Sequence, residues 1–195
     1  MRKIAIYGGS FDPPHLGHLE IIKSVLKNLE PDLFFIVPTF LNPFKDSYYF
    51  SPTLHLKWLK ILTNSLNQNA IKIIDYEIKQ AQKTPTIKTL EFLKKTYNLT
   101  KNDKIYLIVG ADNVESLPKW AEFERLKNSV EFVIIARNGY KIPPYFKKLP
   151  FSEILISSTQ LRKMLKMGDF KGLKKWIPPL IFNDLKEEFC KIEKK

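Results

Sequence analysis

Apolar residues recur along the chain in two alternating rhythms. Short unbroken runs, three to seven residues long and rich in β-branched and aromatic types, fall at Lys3–Tyr7, Asp32–Pro38, Ile71–Ile74, Ile105–Val109, Val130–Ala136 and Ile154–Ile156. Such runs predict strands buried on both faces. Between them the apolar positions return every three or four residues: Leu19, Ile22, Leu26 and Leu29; Leu54, Trp58, Ile61, Leu62 and Leu66; Ile87, Leu90, Leu93 and Tyr97. That spacing predicts helices. Ser51 is placed to cap the second. Two further helices follow, one begun by Ser157-Ser158-Thr159 with Gly168 just past its end, and one opened by Pro178-Pro179 and carrying Phe182, Leu185, Phe189 and Ile192. The segments 39–50, 75–85 and 141–150 lack either rhythm and read as loop or polar connection.

Strand and helix in regular alternation predict a doubly wound α/β fold, with a mostly parallel sheet covered by helices on both faces. At 195 residues and 44% hydrophobic the chain suits one domain, 1–195, ending in a helical part over about 157–195. No repeat or linker divides it. Ligands in such sheets gather beyond the carboxyl ends of the strands. Three polar clusters lie just past apolar runs: Gly8-Gly9-Ser10, Gly110-Ala111-Asp112 and Ser157-Ser158-Thr159. All three are therefore expected on one edge of the sheet.

The first cluster opens the densest stretch of chemistry. Gly8 and Gly9 admit close backbone approach, and His15 and His18 stand where a turn enters a helix. Unpaired N–H groups there attract anions, and two imidazoles add donors, so the stretch suits a phosphate chain. It is neither a Walker loop nor a Gly-x-Gly-x-x-Gly fingerprint. Ser157, Ser158, Thr159 and Arg162 form a second candidate anion site, with hydroxyls, free N–H groups and a guanidinium fork in one helical turn. Asp112 on its glycine turn suits ribose hydroxyls or a helix cap. Trp120 suits a flat ring or a core, and Lys45 lies in the 39–50 loop.

Net charge changes the picture little. With 32 Lys+Arg against 20 Asp+Glu the balance is +12, which raises nucleic-acid binding as a rival reading. No RNP-like or zinc-finger pattern supports it, and the lysines are spread along amphipathic helices, where they read as a solvated face. No apolar run is long enough to span a bilayer, and the one after Arg2 and Lys3 is too short for a signal peptide. A single cysteine, Cys190, excludes an intrachain disulfide, and a cytoplasmic location is the simplest expectation. Three histidines and one cysteine make no zinc pattern.

The stretch Gly-Gly-Ser-Phe-Asp-Pro-Pro-His-Leu-Gly-His resembles the signature of the nucleotidyltransferase superfamily bearing the His-x-Gly-His motif, and Ile-Ser-Ser-Thr-Gln-Leu-Arg resembles its second signature. With Gly-Ala-Asp-Asn, Lys-Trp and Ala-Arg-Asn-Gly-Tyr between them, the order is similar to that of the bacterial nicotinate-nucleotide adenylyltransferase family over residues 3–180. The resemblance implies a Rossmann-like fold and a reaction: ATP and nicotinate mononucleotide give nicotinate adenine dinucleotide and pyrophosphate. It implies roles as well. His15 and His18 would be catalytic and contact the ATP phosphates. Gly8, Gly9, Ser10, Phe11, Gly110, Asp112, Ser157, Ser158, Thr159 and Arg162 would complete the ATP site. Lys45, Thr86, Trp120 and Arg137 would face the nicotinate nucleotide. Mg²⁺ would arrive with ATP, its shell mostly water, without a protein ligand set. The partners implied are small-molecule substrates, with no nucleic acid and no membrane; a homo-oligomer is left open. Thr84-Pro85-Thr86 departs from the usual Ser-Tyr-Thr, and Asn138 replaces the proline of Arg-Pro-Gly-Tyr. The alternative is a related adenylyl- or cytidylyltransferase with another phosphate acceptor, such as nicotinamide mononucleotide or phosphopantetheine.

Overall fold

A computed structural model of the chain describes residues 1–42, 46–150 and 156–194. Among the described residues, six strands form one sheet in the order β3-β2-β1-β4-β5-β6, and every neighbouring pair is parallel. The strands are β1 (Lys3–Gly9), β2 (Leu33–Pro38), β3 (Ile71–Ile73), β4 (Lys104–Gly110), β5 (Glu131–Ile135) and β6 (Lys147–Lys148). Strand order reverses between β1 and β4, which pair in register from Lys3↔Lys104 to Tyr7↔Ile108. A crevice therefore opens beyond the carboxyl ends of these two strands.

Successive side chains on a strand point to opposite faces, so each apolar run feeds two cores. Ile4, Ile6, Phe35, Val37, Leu107, Val109 and Ile134 bury one face under α4 (Thr86–Thr96), a 3₁₀ helix (Ala111–Lys119) and α5 (Phe123–Lys127). Ala5, Tyr7, Phe34, Ile36, Tyr106, Ile108 and Val133 bury the other against Ile22 and Val25 of α1 (Leu16–Leu29) and Leu59 of α2 (Pro52–Asn64). A third core joins the far side of α2 to α6 (Ser158–Lys166), α7 (Phe170–Leu173) and α8 (Pro179–Ile192) through Trp58, Leu62, Leu161, Leu165, Leu185 and Phe189. Asp184 fastens that join, accepting from Trp58 Nε1 and Lys57 Nζ, both at 2.6 Å.

Helix boundaries follow their caps. α6 ends at Met167, with Gly168 in the left-handed region at φ +69°; the Gly168 N–H returns to the Leu165 carbonyl and the Asp169 N–H to that of Met164. This pairing closes a helix end that a glycine at that position permits. Two loop readings need correction. The 75–85 connection contains a short helix, α3 (Tyr76–Gln80), held by the stack of Tyr76 on Phe92 of α4 with ring centres 4.1 Å apart. The 141–150 segment contains β6, which lacks any apolar run because it is an edge strand of two lysines beside β5. Tertiary contact makes both elements, so neither leaves a period in the sequence. The run expected at Ile154–Ile156 lies outside the described residues except for Ile156, which is irregular.

Candidate active site

The three polar clusters lie at the carboxyl end of the sheet or on the helix facing it. β1 ends in Gly8-Gly9, and the chain then turns sharply. A Cβ on Gly9 would stand 3.1 Å from the Phe11 ring. Phe11 itself takes φ +49°, and its ring, 1% exposed, packs edge-on against Tyr7 and His18. The second glycine thus lets the turn fold back on its own phenylalanine. Gly8 is exposed, with no side chain crowding it.

α1 begins one residue later than a His15–His18 helical pair requires. His15 is its N-cap, with extended backbone at φ −146°, and His18 sits in the first turn. The rings nevertheless lie against each other, centres 3.8 Å apart and tilted by 33°. The His15 main-chain N–H donates to His18 Nδ1 at 3.2 Å, so the neutral His18 ring carries its proton on Nε2. Gly17 makes this arrangement fit: a Cβ there would lie 3.0 Å from Cε1 and Nδ1 of His15. Among the described residues, His15 Nδ1 is buried without a hydrogen-bond partner. Burial, then the charge of Arg137, pushes the His15 pKa down to about 3. Burial, His15 and Arg137 hold His18 well below the ordinary histidine range. Both imidazoles are therefore neutral at pH 7.

Asp12 ties this turn to the rest of the molecule. Its buried carboxylate accepts from the Tyr49 and Phe50 N–H groups, each at 2.9 Å, and from His55 Nε2 at 3.1 Å. Burial alone would raise its pKa, but the His55 bond and charge and the two N–H groups outweigh this and hold it below the ordinary value. The Asp12 carbonyl accepts from Arg162 Nη1 at 2.5 Å, and the Pro13 carbonyl from Ser158 Oγ at 3.0 Å. The start of α6 is thereby docked onto the turn that carries the histidines. Ser157 caps α6, accepting from the Gln160 N–H at 3.2 Å while its own N–H donates to Gln160 Oε1 at 2.8 Å. Thr159 Oγ1 accepts from Arg162 Nη2 at 3.0 Å.

On the β4 side, Asp112 Oδ1 meets Arg137 Nε at 3.0 Å. A Cβ on Gly110 would come within 2.3 Å of that carboxylate oxygen and 3.0 Å of the guanidinium nitrogen, so the glycine makes room for the pair. A cleft of about 470 Å³ joins these parts, lined by His15, Gly17, His18, Asp112, Arg137 and Ser157, with Ile21, Asn138, Tyr140, Ile156 and Gln160 around them. Donors, neutral imidazoles and one ion pair at a switch point are chemistry suited to a polyanionic ligand.

Comparison with known proteins agrees. A profile described as cytidylyltransferase-like matches residues 6–164. A Nitratiruptor protein named "Probable nicotinate-nucleotide adenylyltransferase" is 43% identical over 94% of this chain and 96% of its own. A Sulfurimonas denitrificans protein of the same name is 40% identical over 99% of this chain and 100% of its own. This chain belongs to the cytidylyltransferase-like family, in its nicotinate-nucleotide adenylyltransferase branch. Among solved structures, the Plasmodium falciparum nicotinic acid mononucleotide adenylyltransferase complexed with NaAD superposes with a TM-score of 0.72, 28% identity and 94% coverage of both chains. The same enzyme complexed with APC gives 0.73 at 27% identity, again with 94% coverage of both chains.

Not every expected residue of this adenylyltransferase stands in the cleft. Arg137, which the resemblance places on the nicotinate side, does line the cleft and pairs with Asp112 beside the two histidines. Thr86 opens α4 and Trp120 follows the 3₁₀ helix, both away from the cleft lining. The Trp120 ring packs partly against the first core, and its Nε1 is buried with no partner among the described residues. Lys45 lies outside the described residues. The Ser158 and Thr159 hydroxyls and Arg162 make bonds within the protein, as given above. Sequence reasoning passed over Gly17, Asp12 and His55. The first two sit inside the quoted motif, where their spacing between the histidines and the glycines was the available signal; His55 left none. A metal-holding set does not fit here: no group of three or more His, Cys, Asp or Glu occurs among the described residues, Asp12 is fully engaged and Asp112 is paired. No helix among the described residues is long and apolar enough to cross a membrane.

Proposed function

We propose that this enzyme transfers the adenylyl group of ATP to nicotinate mononucleotide, releasing pyrophosphate and forming nicotinate adenine dinucleotide, a step of NAD biosynthesis. The observation that carries the reading is the neutral His15–His18 pair at the head of α1, in one cleft with Asp112, Arg137 and the capped start of α6. The names of the relatives and the two Plasmodium complexes support the choice of substrates, which are small nucleotides.

The chemistry asks little of a base. The acceptor phosphate oxygen is already an anion, and its in-line attack on the α-phosphorus breaks the bond to the departing pyrophosphate. The protein has to position two polyanions and offset charge that builds on the phosphoryl oxygens. His18 Nε2–H, left free once Nδ1 accepts from His15, supplies a fixed neutral donor for that charge. Arg137 and the first-turn N–H groups of α6 add positive potential. We assign Asp112 to the ribose, the open Gly8 and its neighbours Gly9, Ser10 and Phe11 to close backbone contact, and Thr86, Trp120 and Lys45 to the nicotinate nucleotide. Nucleotidyltransferases of this kind generally take ATP with a divalent metal, and we read that metal as Mg²⁺ carried by the triphosphate and water.

The test is pyrophosphate release from ATP and Mg²⁺ with nicotinate mononucleotide, with nicotinamide mononucleotide, or with phosphopantetheine. Turnover with the first and little with the others is the expected result. Turnover only with another acceptor moves the chain to that activity.

A further inference from the structure

We propose that His55 is a positioning residue for this reaction: through its hydrogen bond to Asp12 it sets the spacing between the histidine-bearing start of α1 and the start of α6. The inference rests on the adenylyl-transfer reading but concerns a side chain that is not part of the cleft lining.

His55 lies on α2, is 1% exposed, and turns its Nε2 to Asp12 Oδ1 at 3.1 Å. The same oxygen takes the Phe50 N–H, and Oδ2 takes the Tyr49 N–H. Asp12 is 4% exposed, so its charge depends on these donors rather than on water. Two of them belong to the main chain, and the Arg162 guanidinium stands farther off, at 3.7 Å from Oδ2. His55 is therefore the close side-chain donor that holds the carboxylate in place. The Asp12 main chain carries that position onward. Its carbonyl receives Arg162 and the next carbonyl receives Ser158, both on α6, while the chain reaches His15 three residues later. A shift of Asp12 toward solvent would move both phosphate-facing helix starts, and an ångström of misplacement in such a site can cost about a hundredfold in rate.

The contact is made by one particular atom, which gives a clean test. A glutamine amide nitrogen reaches the place of imidazole Nε2, whereas an asparagine reaches only that of Nδ1. We therefore compare H55Q, H55N and H55L for pyrophosphate release, for direct ATP binding by calorimetry, and for melting temperature, with rates taken well below the melting point of each variant. The expected result is kcat within about threefold of wild type for H55Q and a loss of about ten- to a hundredfold for H55N and H55L. H55N should lose rate even where it remains folded, because simple loss of stability would not lower kcat in a folded sample. If H55L does not fold, the glutamine–asparagine pair decides. Equal kcat in H55Q and H55N, whether both normal or both reduced, overturns the proposal. ATP affinity keeps the two readings apart. If wild type turns over no acceptor, the adenylyl-transfer assignment fails. A weaker ATP affinity in H55N than in H55Q then still upholds the positioning role, and equal affinities overturn it.

Discussion

The main-chain N–H of His15 donates to Nδ1 of His18 at 3.2 Å, and the two rings lie with centres 3.8 Å apart. One histidine thus fixes the tautomer of the other. The bond occupies Nδ1 and leaves Nε2–H to act as a donor in the cleft. His18→Asn keeps an acceptor near the Nδ1 position and removes the Nε2 donor. Its melting temperature should stay close to wild type while kcat falls about 10²–10³-fold, the usual cost of removing a donor to transition-state charge. Steady-state pyrophosphate release beside a thermal melt checks this; near-normal turnover in the folded variant removes His18 from that role.

Gly17 serves the same pair from below. Gly17→Ala puts a methyl group 3.0 Å from the His15 ring, tighter than ordinary contact, so the ring must tilt or move. A displacement of this kind should cost about 10²-fold in kcat. Helix propensity favours alanine over glycine by about 1 kcal/mol, so stability need not fall with the rate. A variant with unchanged kcat would show that the ring can shift without consequence.

Arg137 separates the two halves of the site. It pairs with Asp112 and, after burial, its charge helps hold the pKa values of both histidines down, which puts it beside the residues proposed above for ATP. Arg137→Ala should raise the KM for ATP about ten- to a hundredfold, the worth of a hydrogen bond from a charged group. The KM for the acceptor should change by about twofold at most. The reverse pattern would uphold the nicotinate-side role that the family resemblance implies for Arg137.

Glu77 gives a pH signature remote from the cleft. It is buried on α3, accepts from Thr89 Oγ1 of α4 at 2.6 Å, and burial raises its pKa to about 7, only partly offset by the Thr89 bond. The folded form therefore holds a proton that the unfolded form, titrating near 4.5, has lost. Its contribution is present below pH 4.5 and is lost as pH rises through 7. At about 1.4 kcal/mol per pH unit, the loss amounts to about 3 kcal/mol at most by pH 8. Glu77→Gln keeps the acceptor for Thr89 and cannot ionise. Its melting temperature relative to wild type should rise between pH 5 and pH 8, and a constant difference would contradict the burial argument.

Much of this molecule could be read along the chain. Unbroken apolar runs located β1, β2, β3, β4 and β5, because a parallel sheet covered on both faces buries every residue of a strand, and the 3.6-residue period located α1, α2, α4, α6 and α8, because each helix buries one face. α3 and β6 escaped because one is held by a ring stack and the other by its neighbour strand, and neither needs a periodic face.

The site divides along the same line. The sequence determined that glycines, histidines and a serine–threonine cap would meet at one edge of a parallel sheet, since parallel connections deliver every strand end to the same side. Local spacing also carried Gly17 and Asp12, although not what they do. Only the tertiary structure decided that Arg137 would answer Asp112 across the β4–β5 edge, that Ser158 and Arg162 would fasten α6 to the Asp12–Pro13 turn, and that His55 would close the last bond to a buried carboxylate. Those partners lie 25 to 150 positions apart in the chain. No local period records such pairings, because the demand they satisfy, a partner for each buried charge, arises only after the chain has folded and water has been excluded.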